Sequence, residues 1–120
     1  MIVGKEFVFH AAHNLAGYDG KCENLHGHSY RLRVEVEGPV GADGMVMDFA
    51  DIGRVVEEKV VSVLDHSYLN DLLGDKSSLE ILAEWVWQAL DGEIPLRRIG
   101  MWETDNNFLI YDGPKKEEVE

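Results

Sequence analysis

From Tyr30 to Glu37 the chain alternates without a break. Tyr30, Leu32, Val34 and Val36 share one parity, and Arg31, Arg33, Glu35 and Glu37 share the other. A period of two is that of a strand with one buried and one solvated face. Residues 2–12, rich in Val and Phe, predict an earlier strand, and antiparallel pairing of the two is the simplest arrangement. Between them, residues 13–25 hold Asn14, Gly17, Asp19, Gly20 and Asn24, the composition of a loop. Residues 38–44, GPVGADG, are a turn-rich connection.

Beyond that connection the period changes. Ile52, Val55, Val56, Val60, Val63 and Leu64 fall on one face of a helix, with Asp48 placed to cap it. Ser77-Ser78-Leu79-Glu80 has the form of a capping box. The helix it opens carries a stripe of Leu79, Leu82, Ala83, Val86 and Leu90, widened by Trp85 and Trp87, and Pro95 marks its exit. Residues 97–104 and 107–112 predict two more strands that turn at Asp105-Asn106. The order ββααββ predicts an α+β fold, a four-stranded antiparallel sheet with two helices on one face. Such a sheet leaves its edges open, and open edges are usually covered by oligomerisation or by closure into a barrel.

A chain of 120 residues is one domain by size. The domain is expected to span residues 1–113, with the acidic tail 114–120 fraying. Apolar residues at 45% and charged residues at 28% exclude a disordered or fibrous chain. No apolar run approaches the roughly 18 residues of a membrane span. Met1 to Glu6 lacks the apolar core of a signal peptide, so cytoplasmic residence is the expectation. Eleven Lys and Arg against 23 Asp and Glu give a net charge of −12, which argues against nucleic acid as a partner. An anionic small substrate would need cations gathered locally.

The candidate chemistry lies in the histidines. His10, His13, His26 and His28 cluster around the first loop, with His66 further on. His26 and His28, at i and i+2, can point to one side of a strand. His13 ends the preceding strand, so pairing of the strands would bring three imidazoles together. Three His with a fourth position open is a catalytic zinc pattern rather than a closed structural one. Gly27 lets backbone or substrate approach between the two ligands. His26 and His28 share parity with Tyr30 and Leu32, so an inward-facing site or a bulge must place them. His10, three residues before His13, falls on the opposite face and reads as structural.

Cys22, the single cysteine, excludes an intramolecular disulfide. A nearby cation would favour its thiolate, as a fourth zinc ligand or as a general base beside an open zinc. Asp65-His66 ends the first helix, where the chain can turn and let a carboxylate–imidazole pair move a proton. As a bland helix end, the same His suits the helix dipole. Glu103 shares parity with Ile99 and Met101, so its carboxylate sits on an apolar face and must be paired. Its partner is a planar amidine-like ligand edge, or Arg97 or Arg98.

Taken together, these residues resemble the 6-pyruvoyl tetrahydropterin synthase superfamily. The segments are Phe9-His10-Ala11-Ala12-His13, Cys22-x3-His26-Gly27-His28-Ser29-Tyr30, Met47-Asp48-Phe49, Leu64-Asp65-His66-x2-Leu69-Asn70 and Trp102-Glu103-Thr104-x-Asn106-Asn107. The short gap between Cys22 and His26 looks like its 6-carboxy-5,6,7,8-tetrahydropterin synthase branch, the branch of queuosine-type deazapurine biosynthesis. The likeness runs to about Tyr111. Two positions depart from it. Ser77-Ser78-Leu79-Glu80-Ile81 stands where a Pro-Thr-x-Glu-Asn-like segment is common, and His10 stands where Ser or Thr is more usual.

The resemblance implies a tunnelling fold, with sheets joined into a barrel in trimers and two trimers stacked into a homohexamer. It implies zinc ligands His13, His26 and His28, and Cys22 as base. Asp65 and His66 would be the proton-transfer pair, contributed by a neighbouring subunit. Glu103 would grip the pterin, with Thr104 beside it, Ser78 supplying a hydroxyl, and Lys21 and Lys5 as candidates for the triphosphate. The implied reaction is a zinc lyase converting 7,8-dihydroneopterin triphosphate to 6-carboxytetrahydropterin, acetaldehyde and triphosphate. Two alternatives are a 6-pyruvoyl-tetrahydropterin synthase, which leaves the carbon chain intact, and a non-catalytic hexameric zinc scaffold.

Overall fold

The structure is a computed structural model that describes residues 1–15 and 25–115. β1 (Ile2–His13) and β2 (His26–Glu37) pair antiparallel along their whole length, from Ile2 opposite Glu37 to His13 opposite His26. β4 (Leu96–Trp102) pairs antiparallel with the other side of β2, and β5 (Phe108–Tyr111) with β4. Both hairpin strands run further than the apolar alternation alone marks. β1 includes His13, and β2 begins at His26 with its parity unbroken, so an inward-facing site and not a bulge places the histidines.

The α+β architecture is as expected, with one addition. A short strand β3 (Ser67–Tyr68) runs parallel to β1 beside Ala11 and Ala12, making a five-stranded sheet in the order β3-β1-β2-β4-β5. Two residues are too few to show a period. This strand forms because its neighbour His66 is tied to β1, donating its backbone N–H to the His10 carbonyl at 2.6 Å.

The helices cover one face. Asp48 caps α1 (Phe49–Val56) by accepting the Ala50 N–H at 2.8 Å, as expected from the sequence. The helical path then widens into a π-type turn at Glu57–Val61 before α2 (Ser62–Leu64). A π turn adds one residue and rotates the helix beyond it. Val61 is therefore buried and Val63 is 44% exposed, the reverse of the regular-helix expectation. A further short helix, α3 (Leu69–Leu73), precedes α4 (Leu79–Leu90). α4 is capped by Ser78, whose hydroxyl accepts the Ile81 N–H at 3.2 Å. The capping-box pattern places that role on Ser77, which is instead buried.

Ile52, Val56, Val60, Leu82, Val86 and Leu90 pack on Phe9, Leu32, Val34, Val36, Ile99 and Met101, all fully buried. The opposite face of the sheet has no helix over it among the described residues, and Val8, Phe108 and Ile110 stand more than half exposed there. Of the expected tail, Pro114 and Lys115 are described, and residues 116–120 lie outside the described residues.

Candidate metal centre

The unbroken pairing of β1 and β2 carries His13, His26 and His28 onto the helix-covered face at one end of the hairpin. β4 delivers Glu103 to the same place, one residue past its end, where the Glu103 N–H donates to the Asn107 carbonyl at 3.0 Å. One ligand atom from each of His13, His26, His28 and Glu103 lies within 4.8 Å of the others. His13 Nε2 and His26 Nε2 are 3.1 Å apart. Two nitrogens bound tetrahedrally at ~2.0–2.1 Å from one ion would stand about 3.3 Å apart, so the spacing fits a small cation. Glu103 Oε1 is 2.9 Å from His28 Nε2 and 3.7 Å from His13 Nε2.

The tautomer of His13 is set from behind. Its Nδ1–H donates to the Ser77 carbonyl at 2.6 Å, which leaves the Nε2 lone pair facing the cluster. Ser77 is held in turn by Asn70 and Asn14. Its hydroxyl donates to Asn70 Oδ1 at 2.9 Å, and the Asn70 amide donates to the Asn14 carbonyl at 2.7 Å. Asn70 Oδ1 also accepts the Asn14 N–H at 2.9 Å. This support of a metal-type histidine joins three distant segments. Its only trace in the sequence is Asn70 in the Leu69-Asn70 segment.

The electrostatics suit an ion. Glu103 raises the His13 pKa against burial, with the Ser77 carbonyl adding to the rise. At 3.7 Å the Glu103 effect is one of charge more than of a hydrogen bond. His28 is lowered, by burial first, against the Glu103 charge and with the neighbouring imidazoles adding, which favours the neutral, ligating form. Glu103 is held below the usual carboxylate range, by His13 first and against burial, and stays ionised. His28 Nε2 is buried without a directed hydrogen bond even though Glu103 is close, and the Tyr30 hydroxyl is buried without one as well. Buried nitrogens lacking a donor or acceptor are costly unless something binds them. The donor set of three imidazoles and a carboxylate therefore fits a bound divalent ion.

Asp65 and His66 lie elsewhere. Asp65 Oδ1 accepts the His10 N–H at 2.9 Å, and Asp65 Oδ2 lies 3.1 Å from His66 Nδ1. His66 has φ 60, the left-handed region, which costs a non-glycine residue about 1–3 kcal/mol and recurs at functional sites. The His66 side chain is 80% exposed. It opens onto a cavity of about 460 Å³ on the uncovered face, with His10, Ser29 and Ala12. His10, as expected, is on the face opposite His13, and its Nδ1 is 2.9 Å from Ser29 Oγ. One chain thus gathers His13, His26, His28 and Glu103, and keeps Asp65 and His66 across the sheet from them.

The remaining candidates divide. Glu103 pairs with neither Arg97 nor Arg98, which contact Asp112, with Arg97 also reaching Glu37. The Thr104 hydroxyl accepts the Asn106 and Asn107 N–H groups and shapes the turn after β4. Ser78 caps α4 through its hydroxyl. Lys5 is engaged by the Phe49 carbonyl at 3.3 Å. Cys22 and Lys21 lie outside the described residues.

A mainly antiparallel sheet with helices on one face and a three-histidine cluster at its hairpin end defines an α+β domain with a candidate metal centre. Residues 2–114 match the family described as 6-pyruvoyl tetrahydropterin synthase, and the chain belongs to that family. It is 40% identical to a 6-carboxy-5,6,7,8-tetrahydropterin synthase of Synechocystis, over 95% of each chain. A protein of the same name from Haemophilus influenzae is 32% identical, with 91% of this chain and 96% of that one covered. The solved structure of Caenorhabditis elegans 6-pyruvoyl tetrahydropterin synthase superposes with a TM-score of 0.81 at 28% identity, over 95% of this chain and 97% of the other. The resemblance stated from the motifs is borne out at the level of the family.

Proposed function

We propose that the protein is a cytoplasmic zinc-dependent lyase. It converts 7,8-dihydroneopterin triphosphate and water to 6-carboxy-5,6,7,8-tetrahydropterin, acetaldehyde and triphosphate, in queuosine-type deazapurine biosynthesis. The observation that carries this reading is the convergence of three imidazoles and Glu103 within 4.8 Å. The names of the Synechocystis and Haemophilus relatives support the carboxy product.

Zinc held by His13, His26 and His28 would supply Lewis acidity, acidifying an oxygen bound to it and the neighbouring C–H. Glu103, kept ionised, accepts two N–H donors from the amino-pyrimidine edge of the pterin. Thr104 and Ser78 are further candidates for contact with the pterin. The Cys22 thiolate takes a proton from the side-chain carbon. Asp65 fixes His66 with Nδ1 toward the carboxylate, which leaves His66 Nε2 to exchange the second proton. Because Asp65 and His66 lie across the sheet from their own chain's cluster, they serve the centre of a second copy, in a hexamer of two trimers. Lys21 is a candidate for the triphosphate.

Two other readings have a specific observation behind them. The fit to the C. elegans structure favours 6-pyruvoyl-tetrahydropterin as product. The 2.9 Å contact of Glu103 with His28 favours a closed four-donor site, and hence a scaffold. Purified protein loaded with zinc and given dihydroneopterin triphosphate separates all three by the masses of its products. Acetaldehyde with the 6-carboxy pterin is expected. The 6-pyruvoyl pterin, or no turnover by metal-loaded protein, would contradict the proposal.

A further inference from the structure

A chain of net charge −12 that handles a triphosphate needs a cation free to meet it. Arg33, Arg54, Arg97 and Arg98 each contact a carboxylate. Arg31 contacts none among the described residues. Its guanidinium carbon sits 4.3 Å over the ring of Trp102, which itself stacks on Phe108 with centroids 5.7 Å apart. Its Nε is buried with no hydrogen-bond partner. A guanidinium seated over an aromatic ring, with no carboxylate partner among the described residues, is placed to receive an oxyanion.

The surroundings say which oxyanion. Arg31 points to the uncovered face of the sheet, directly opposite Val8 on β1, and two residues before it Ser29 lies opposite His10. The rings of His10 and His66 are 6.2 Å apart across the cavity that Ser29 also lines. Two strand residues advance about 6.6 Å. A linear track therefore runs from the His66 imidazole past His10 and Ser29 to Arg31. Two carboxylates beside this track are engaged by other groups, Glu6 by Arg33 at 2.7 Å and Asp65 by His66 and the His10 N–H.

We infer that Arg31, stacked on Trp102, is the polyphosphate-binding residue of this face, and that His10 and Ser29 line the path from His66 to it. The inference rests on the proposed function. There, His66 exchanges a proton at the substrate's side chain, and the phosphates continue from that side chain. The substrate served is one whose pterin is held by the metal centre of a second copy, since the His13 cluster lies on the other face of the same two strands. The arginine supplies two parallel N–H donors to adjacent phosphate oxygens. The platform tryptophan keeps the fork from turning toward the acidic surface.

The test is calorimetric titration of the zinc-loaded protein with inorganic tripolyphosphate, alongside 6-carboxypterin, which has no phosphate. Arg31→Gln should bind tripolyphosphate about 10- to 100-fold more weakly and 6-carboxypterin unchanged. Arg31→Lys should recover part of the loss, because charge returns but the fork does not. With dihydroneopterin triphosphate, Arg31→Gln should raise KM more than it lowers kcat. Unchanged tripolyphosphate affinity in Arg31→Gln would overturn the inference, as would no binding by the unaltered protein. So would a variant whose assembly falls apart with its anion affinity intact, which would assign Arg31 to a carboxylate of a neighbouring copy. Turnover distinguishes the two levels. If the unaltered protein binds tripolyphosphate through Arg31 but makes no pterin product, the phosphate site stands and the proposed function falls.

Discussion

Glu103 Oε1 lies 2.9 Å from His28 Nε2, so one carboxylate is within reach of either an ion or a ligand beside it. The two roles separate by substitution. His28→Ala removes one of three imidazoles and should leave the protein with little metal after dialysis, as read by elemental analysis. Glu103→Gln keeps the shape but presents an amide NH₂ to the pterin's own donors. It should retain metal and lose about 2–3 kcal/mol of pterin affinity, measured by fluorescence titration. Loss of metal in Glu103→Gln would make Glu103 a ligand. The Tyr30 hydroxyl, close by, does not ionise in this setting, because burial and then the Glu103 charge raise its pKa.

At the scale of elements, the end of α2 is latched to the edge of the sheet by Asp65. Its pKa is held below the ordinary carboxylate value by the His10 N–H first, against desolvation, with His66 adding to the lowering. Between the lowered folded value and the ordinary unfolded value the unfolded chain binds more protons, so stability falls as pH drops through that window. The contribution is fully present above the unfolded pKa. Urea unfolding of the metal-free protein should therefore weaken toward acid less steeply in Asp65→Asn than in the unaltered chain. Equal slopes would show that the latch contributes nothing.

The elements also show what a sequence displays. The alternation of β2, the Asp48 cap and the α4 stripe are local patterns and are legible. The exchange of Val61 for Val63 in the core is not, since a π turn is a tertiary accommodation with no residue signature. The capping-box pattern misplaces the cap of α4 by one residue because Ser77 and Ser78 are chemically alike. Only the distant Asn14 and Asn70 decide that Ser77 is the buried one. At the site, His13, His26 and His28 are legible from strand parity. The Ser77 carbonyl that orients His13 comes from 64 residues away, and no spacing rule reaches it.

On the scale of the whole molecule, the uncovered face and the edges β3 and β5 are the unfinished parts. Trp102 and Phe108 stack there, Val8 and Ile110 are exposed, and Asp65 and His66 face away from their own chain's cluster. A chain so arranged cannot complete the proposed site alone. Light scattering at micromolar concentration should report about six times the 13.5 kDa chain mass, in keeping with closed symmetry. A monomer that still turns over substrate would contradict the shared site.

The proposed chemistry depends most on an open three-histidine centre, which X-ray absorption at the zinc edge of the loaded protein measures directly. The expected coordination is three imidazole nitrogens at about 2.0–2.1 Å with one oxygen that changes when a pterin is added. A sulfur shell at about 2.3 Å, placing Cys22 on the metal, or a fourth ligand indifferent to pterin, would contradict it.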